Sequence, residues 1–141
     1  MLNFNQYINL KYKHKGRGPE FFDCYGFVRY ILEQDLGVAL PDFIEVGYSK
    51  FWSAKGESQY ISSKIDYKDW KVIPNIGGAE PYDLVTIYRN LDSKIVNHIG
   101  LVIGRGKFIH IISRRTSETA SLELWENRIH KILRYGEIQC L

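Results

Sequence analysis

The sequence predicts an α+β domain in which an early helix packs on a small antiparallel β-sheet. One clear stretch of helical periodicity occupies residues 24 to 36. The β-branched and aromatic runs gather in the second half, from Asp83 onward. Those runs are joined by short turns, not by further helices, and a helix followed by strands argues against repeating βαβ units.

The chain has 141 residues, which fits a single domain over 1–141 with a real core. A hydrophobic share of 45% excludes a disordered chain. Nineteen Lys and Arg against sixteen Asp and Glu leave a formal charge of +3, too small and too scattered for a nucleic-acid partner. Ten Tyr, seven Phe and three Trp suit an amphipathic groove as well as a core. No apolar run approaches the ~18 residues of a membrane span, so no membrane insertion is expected. The stretch from Met1 to Tyr7 lacks a basic region and an apolar run, so no signal peptide is expected there. A substrate outside the cytoplasm, where the chain is made, would then require another route of delivery.

Taken in order, residues 3 to 12 form a short amphipathic opening compatible with a helix, with Phe4, Tyr7, Ile8 and Tyr12 inward. Residues 13 to 20 are a polar, Gly-rich loop. Asp23 is placed to cap the helix that begins at Cys24, since its side chain can accept from backbone N–H groups one turn on. Cys24, Phe27, Val28, Ile31 and Leu32 fall on one face, and Gly37 is the stop signal. Gly26 leaves room for another backbone to approach. Residues 42 to 79 carry Tyr48, Phe51, Trp52, Tyr60, Tyr67 and Trp70 among Ser, Lys and Gly, and read as an irregular aromatic-rich excursion. Strands are expected at 84–88, 96–103, 108–112 and 129–138, with 113–121 a polar loop and 122–127 a short helical turn.

The chemistry concentrates on Cys24. A thiol at a helix N-terminus meets unpaired N–H groups and the positive end of the helix dipole, both of which favour thiolate. The alternative use of a free cysteine is core packing. The two strand histidines, His98 and His110, decide between these. A three-residue loop at Gly104-Arg105-Gly106, with Gly106 left-handed, gives pairs summing to 210 and places His110 diagonal to His98 on one face. A two-residue turn at Arg105-Gly106 would put them on opposite faces. The first register is predicted. Cys24 is then the candidate nucleophile, with its own backbone N–H as an oxyanion donor. His98 is the candidate base and His110 the group that orients it. Gly100 is expected to keep the strand face open near the thiol. His14 and His130 are read as surface or loop residues without a role. No CxxC or HExxH is present, and the histidines lack carboxylates at ligand spacing, so no metal and no cofactor are expected. Cys24 and Cys140 are too few for a disulfide framework, and Cys140 is expected to fray.

These residues resemble the NlpC-type cell-wall cysteine peptidases, which have a rearranged papain-like fold. Asp23-Cys24-Tyr25-Gly26-Phe27 is similar to the family's Asp-Cys-x-Gly-hydrophobic motif. Leu40-Pro41, Pro81-Tyr82-Asp83-Leu84-Val85, His98-Ile99-Gly100 and the hairpin through His110 are similar to its later motifs. The resemblance implies Cys24, His98 and His110 as the catalytic set, and Tyr12, Asp23 and Gly100 at the substrate site. It implies cleavage of peptidoglycan stem peptides, commonly next to D-glutamate, without a metal. Tyr25 stands where the family often has Ser, and with Gly16-Arg17 upstream this looks more like the phage tail-associated branch. That branch implies a virion location and other phage tail proteins as partners, either as an enzyme or as a structural tail-assembly subunit with little activity. Pro81-Tyr82-Asp83 also replaces the family's Pro-Gly-Asp.

Overall fold

Asp23 begins the principal helix, α1 (Cys24–Leu36), by accepting a hydrogen bond from the Gly26 N–H at 2.7 Å. Gly37 ends it with φ 68°, and the N–H groups of Gly37 and Val38 return to Glu33 and Leu32. Between these caps Phe27, Val28, Ile31 and Leu32 are fully buried. The structure is a computed structural model and describes residues 2–40, 70–90, 92 and 95–136. Residues 42–69 of the expected excursion and Cys140 therefore lie outside the described residues. The end of that excursion is not irregular throughout, since Trp70–Ile73 form a strand paired with the last strand of the sheet.

Two short strands, β1 (Lys11–Tyr12) and β2 (Phe21–Phe22), pair in parallel on either side of the Gly-rich loop. The main sheet holds β3 (Trp70–Ile73), β4 (Leu84–Asn90), β5 (Ile95–Gly104), β6 (Lys107–His110), β7 (Glu118–Ser121) and β8 (Ile129–Tyr135). Its order is β3-β8-β4-β5-β6-β7, with every neighbour antiparallel. A one-turn helix, α2 (Leu122–Trp125), connects β7 to β8 through a 3-10 turn at Glu126–Arg128. Among the described residues no helix is long and apolar enough to cross a membrane.

Strand alternation sorts the core onto two faces. Ile99, Leu101, Ile109, Ile111, Leu84 and Leu133 pack with α1. Val85, Ile87, Val102, Phe108 and Leu122 form a second cluster, with Trp125 packed against it. His98 and His110 share strand parity with Val102 and Phe108, so the imidazoles belong to the α2 side of the sheet.

The opening is not a helix. It is a 3-10 turn at Asn5–Tyr7 leading into β1, although Phe4 and Tyr7 are buried as their spacing implies. Tyr7 is held there by Asp35 at 2.5 Å, a partner on α1 that fixes the segment without helical pairing. The polar run 113–121 contains a strand, β7, which pairs through its backbone with β6 while keeping polar side chains. An edge strand bonded on one side needs little apolar patterning.

The β5–β6 hairpin adopts the expected register by a different route. Leu101 pairs with Ile109 and Val102 with Phe108, sums of 210, but Gly104 pairs with Lys107. The turn is therefore the two-residue Arg105-Gly106, both with positive φ (55° and 73°), and a bulge at Ile103-Gly104 supplies the extra residue.

Candidate active site

The head of α1 reaches the sheet where β6 has ended. The β5–β6 ladder begins only at Leu101, so Ile99 has no partner on β6. The Cys24 sulfur sits there and accepts from the backbone N–H groups of Ile99 and Tyr25. Cys24 and His98, the residue before Ile99, line one cleft of about 520 Å³. Tyr12, Trp125, Arg115 and Arg128 complete the parts of its wall that bear chemistry.

The two histidines meet. His98 Nε2 lies 2.8 Å from His110 Nδ1, with both rings buried. His110 is 1% exposed and stands behind His98, enclosed by Phe108 and Trp125 with ring centroids at 4.9 and 5.1 Å. Burial, with a smaller effect from Arg115, lowers its pKa from 6.5 to about 4, so His110 is neutral at pH 7. His98 Nε2 is thus engaged by His110, and Nδ1 lies on the other side of the His98 ring.

The thiol differs from the expectation. Burial pushes Cys24 up to about 12, Asp23 pushes it further in the same direction, and the N–H groups of Ile99 and Tyr25 only partly offset this. Desolvation of the charged form outweighs the helix head. The resting sulfur is therefore a thiol.

The remaining predicted residues divide. Tyr12 lines the cleft. Asp23 is 4% exposed, with its carboxylate bound to Gly26 and Arg17, so it holds the helix head instead of meeting a substrate. Gly100 is buried and does not keep the cleft open. A Cβ there would fall 2.8 Å from the Phe108 ring and 3.1 Å from the Ile109 carbonyl, so its lack of a side chain admits Phe108 across the hairpin. Gly26 plays the expected part, because a side chain there would run into the Gly16 carbonyl oxygen. His14 and His130 stay off the cleft, and His130 Nδ1 lies 3.1 Å from Thr86 Oγ1. Trp125, Arg115 and Arg128 were not singled out from sequence. They lie in the polar loop and short turn, where no periodicity marks a wall. Among the described residues no cluster of His, Cys, Asp or Glu could hold a metal ion.

Residues 9–134 match the NlpC/P60 family. The chain belongs to that family. This NlpC/P60 domain is 31% identical over 137 residues to a gamma-DL-glutamyl hydrolase of Bacillus subtilis strain 168, covering 94% of the chain and 28% of that protein. The chain thus spans less than a third of that relative's length. Among solved structures, the fold resembles the NlpC/p60 domain of the peptidoglycan hydrolase SagA, at 20% identity and TM-score 0.60, covering 92% of this chain and 90% of that one. It also resembles NlpC1 from Trichomonas vaginalis, at 18% identity and TM-score 0.65, covering 92% and 40%. An NlpC/P60 family protein from Bacillus cereus aligns at 21% identity and TM-score 0.62, covering 92% and 36%. The α+β fold of the NlpC/P60 domains is therefore the fold of this chain.

Proposed function

We propose that this NlpC/P60 domain is a cysteine endopeptidase acting on the peptide stems of bacterial peptidoglycan, with Cys24 as nucleophile, His98 as base and His110 as the group that orients His98. The observation that carries this reading is the His98–His110 contact of 2.8 Å beside a cleft that Cys24 shares. Neutral His110 accepts the Nε2–H of His98 through Nδ1, which leaves the His98 Nδ1 lone pair for the thiol. As the sulfur bonds to the acyl carbon, its proton passes to His98. The carbonyl oxygen becomes an oxyanion, which the backbone N–H of Cys24 meets. Collapse breaks the C–N bond, and His98 returns the proton to the departing amine. Water, deprotonated by the same imidazole, then cleaves the thioester and restores the thiol.

A glutamyl bond is the first substrate to test. The relative is named a glutamyl hydrolase, and Arg115 and Arg128 in the cleft wall suit a peptide rich in carboxylates. Tyr12 offers a ring and hydroxyl to the same peptide. We place the domain in a phage tail, among other tail proteins. The support is the pair of residues that sets the sequence apart, Arg17 and Tyr25, which pack together with the guanidinium carbon 5.4 Å from the ring centroid.

Defined muropeptides digested with wild type and Cys24→Ala, with products read by mass spectrometry, test the enzymatic reading. Wild type is expected to release cleaved stems and the variant none. Equal products from both would remove Cys24 from the mechanism. Turnover too low to detect in wild type would favour a tail-assembly subunit.

A further inference from the structure

An ion pair lies against the nucleophile without a part in the chemistry above. Arg17, in the loop between β1 and β2, donates to Asp23 Oδ1 at 2.8 Å and to the Gly16 carbonyl at 3.1 Å. Both side chains of the pair are buried, at 8% and 6% exposed. The same Asp23 oxygen caps α1 at Gly26, and the Gly16 carbonyl also accepts from the Asp23 N–H at 3.1 Å. One guanidinium therefore fastens the Gly-rich loop to the residue that precedes the sulfur.

We infer that Arg17 is a positioning residue for Cys24: it fixes the loop against the helix head and neutralises the carboxylate beside the sulfur, so that His98 can take the thiol proton. The ionisable groups around the sulfur come from every packed element. Asp23 and Tyr25 flank it, Arg17 comes from the loop and Tyr12 from β1. His98 stands on β5 with His110 behind it, and Arg115 and Arg128 line the cleft. Asp23 supplies the negative charge that opposes thiolate, and Arg17 the positive charge that favours it. A buried carboxylate stripped of its partner acts at close range through a poorly screened medium.

The inference rests on Cys24 as nucleophile, but its test reads the sulfur and not turnover. Alkylation of Cys24 by iodoacetamide is followed between about pH 7 and 10 in the intact chain, with the Cys24 peptide quantified by mass spectrometry. Arg17→Gln is expected to displace the rate profile upward by about one pH unit, which is about tenfold slower labelling at fixed pH. Arg17→Lys is expected to recover part of the rate. Asp23→Asn keeps a capping side chain and is expected to move the profile the other way. The double variant should return close to wild type. A profile unchanged by Arg17→Gln, or Asp23→Asn moving it in the same direction as Arg17→Gln, would overturn the inference. Should Arg17→Gln fail to fold, the double variant decides: wild-type labelling supports the role and strongly slowed labelling overturns it. Shifted profiles without hydrolysis would sink the proposed activity and leave the role of Arg17 standing.

Discussion

His98 Nε2 and His110 Nδ1 are 2.8 Å apart, and the second ring is sealed from the cleft by Phe108 and Trp125. Of the two, His98 lines the cleft that Cys24 shares, so the two imidazoles stand in unequal environments. His98→Ala should lower kcat by about 10²–10⁴, the usual worth of a positioned base. His110→Ala should cost less, on the order of tenfold to a hundredfold, and His110→Asn should recover part of it by restoring an acceptor. Steady-state kinetics on one muropeptide checks the order, and the reverse order would exchange the two roles.

Acid should weaken the fold through His110. Its folded pKa of about 4 lies below the unfolded 6.5, so between these values the unfolded chain binds the extra proton. Stability then falls as pH drops from about 6.5 toward 4, and is unaffected by this group above that window. The full span is worth about 3 kcal/mol at most. Urea unfolding at pH 7, 6 and 5 should show a steeper loss in wild type than in His110→Asn. Parallel slopes would mean His110 titrates normally.

With the thiol held up to about 12, labelling of Cys24 by iodoacetamide should keep climbing through pH 9, about tenfold per unit. A plateau near neutral pH would reveal a thiolate–imidazolium pair in the resting protein.

Tyr82 occupies φ 74°, a conformation that bulky residues rarely adopt, at the position where the resembling motif has Gly. Its ring is buried, lies 5.3 Å from Phe4, and donates its hydroxyl to Asp35 at 2.9 Å. Tyr82→Gly would relieve about 1 kcal/mol of backbone strain but forfeit the packing of an aromatic side chain, about 3–5 kcal/mol. A net loss of about 2–4 kcal/mol in urea unfolding is expected, and a stabilised variant would show that the backbone dominates.

The helix was legible because its signals are local: Asp23, the periodicity from Cys24 to Leu32, and Gly37 all act within one segment. The strands from Leu84 to Ile109 were legible for the same reason. β7 was not, because a polar edge strand is defined by its partner β6. Cys24, His98 and His110 were singled out by residue type and register, and the structure brings the two imidazoles together beside the cleft that Cys24 lines. The high thiol pKa did not, since it depends on how deeply neighbouring elements enclose the sulfur. Gly100 was read as access to the site, whereas only the opposite strand reveals the Phe108 ring that fills its space.

The bulge at Ile103-Gly104 has a consequence far from the turn. Closing the hairpin with the two-residue turn and every residue kept, but no bulge, would make all pairs sum to 211, set His110 opposite Leu101 and send it to the side occupied by α1. The face on which His110 stands is therefore set by the bulge as much as by the turn. A bulge beside the turn thus governs whether the two imidazoles meet.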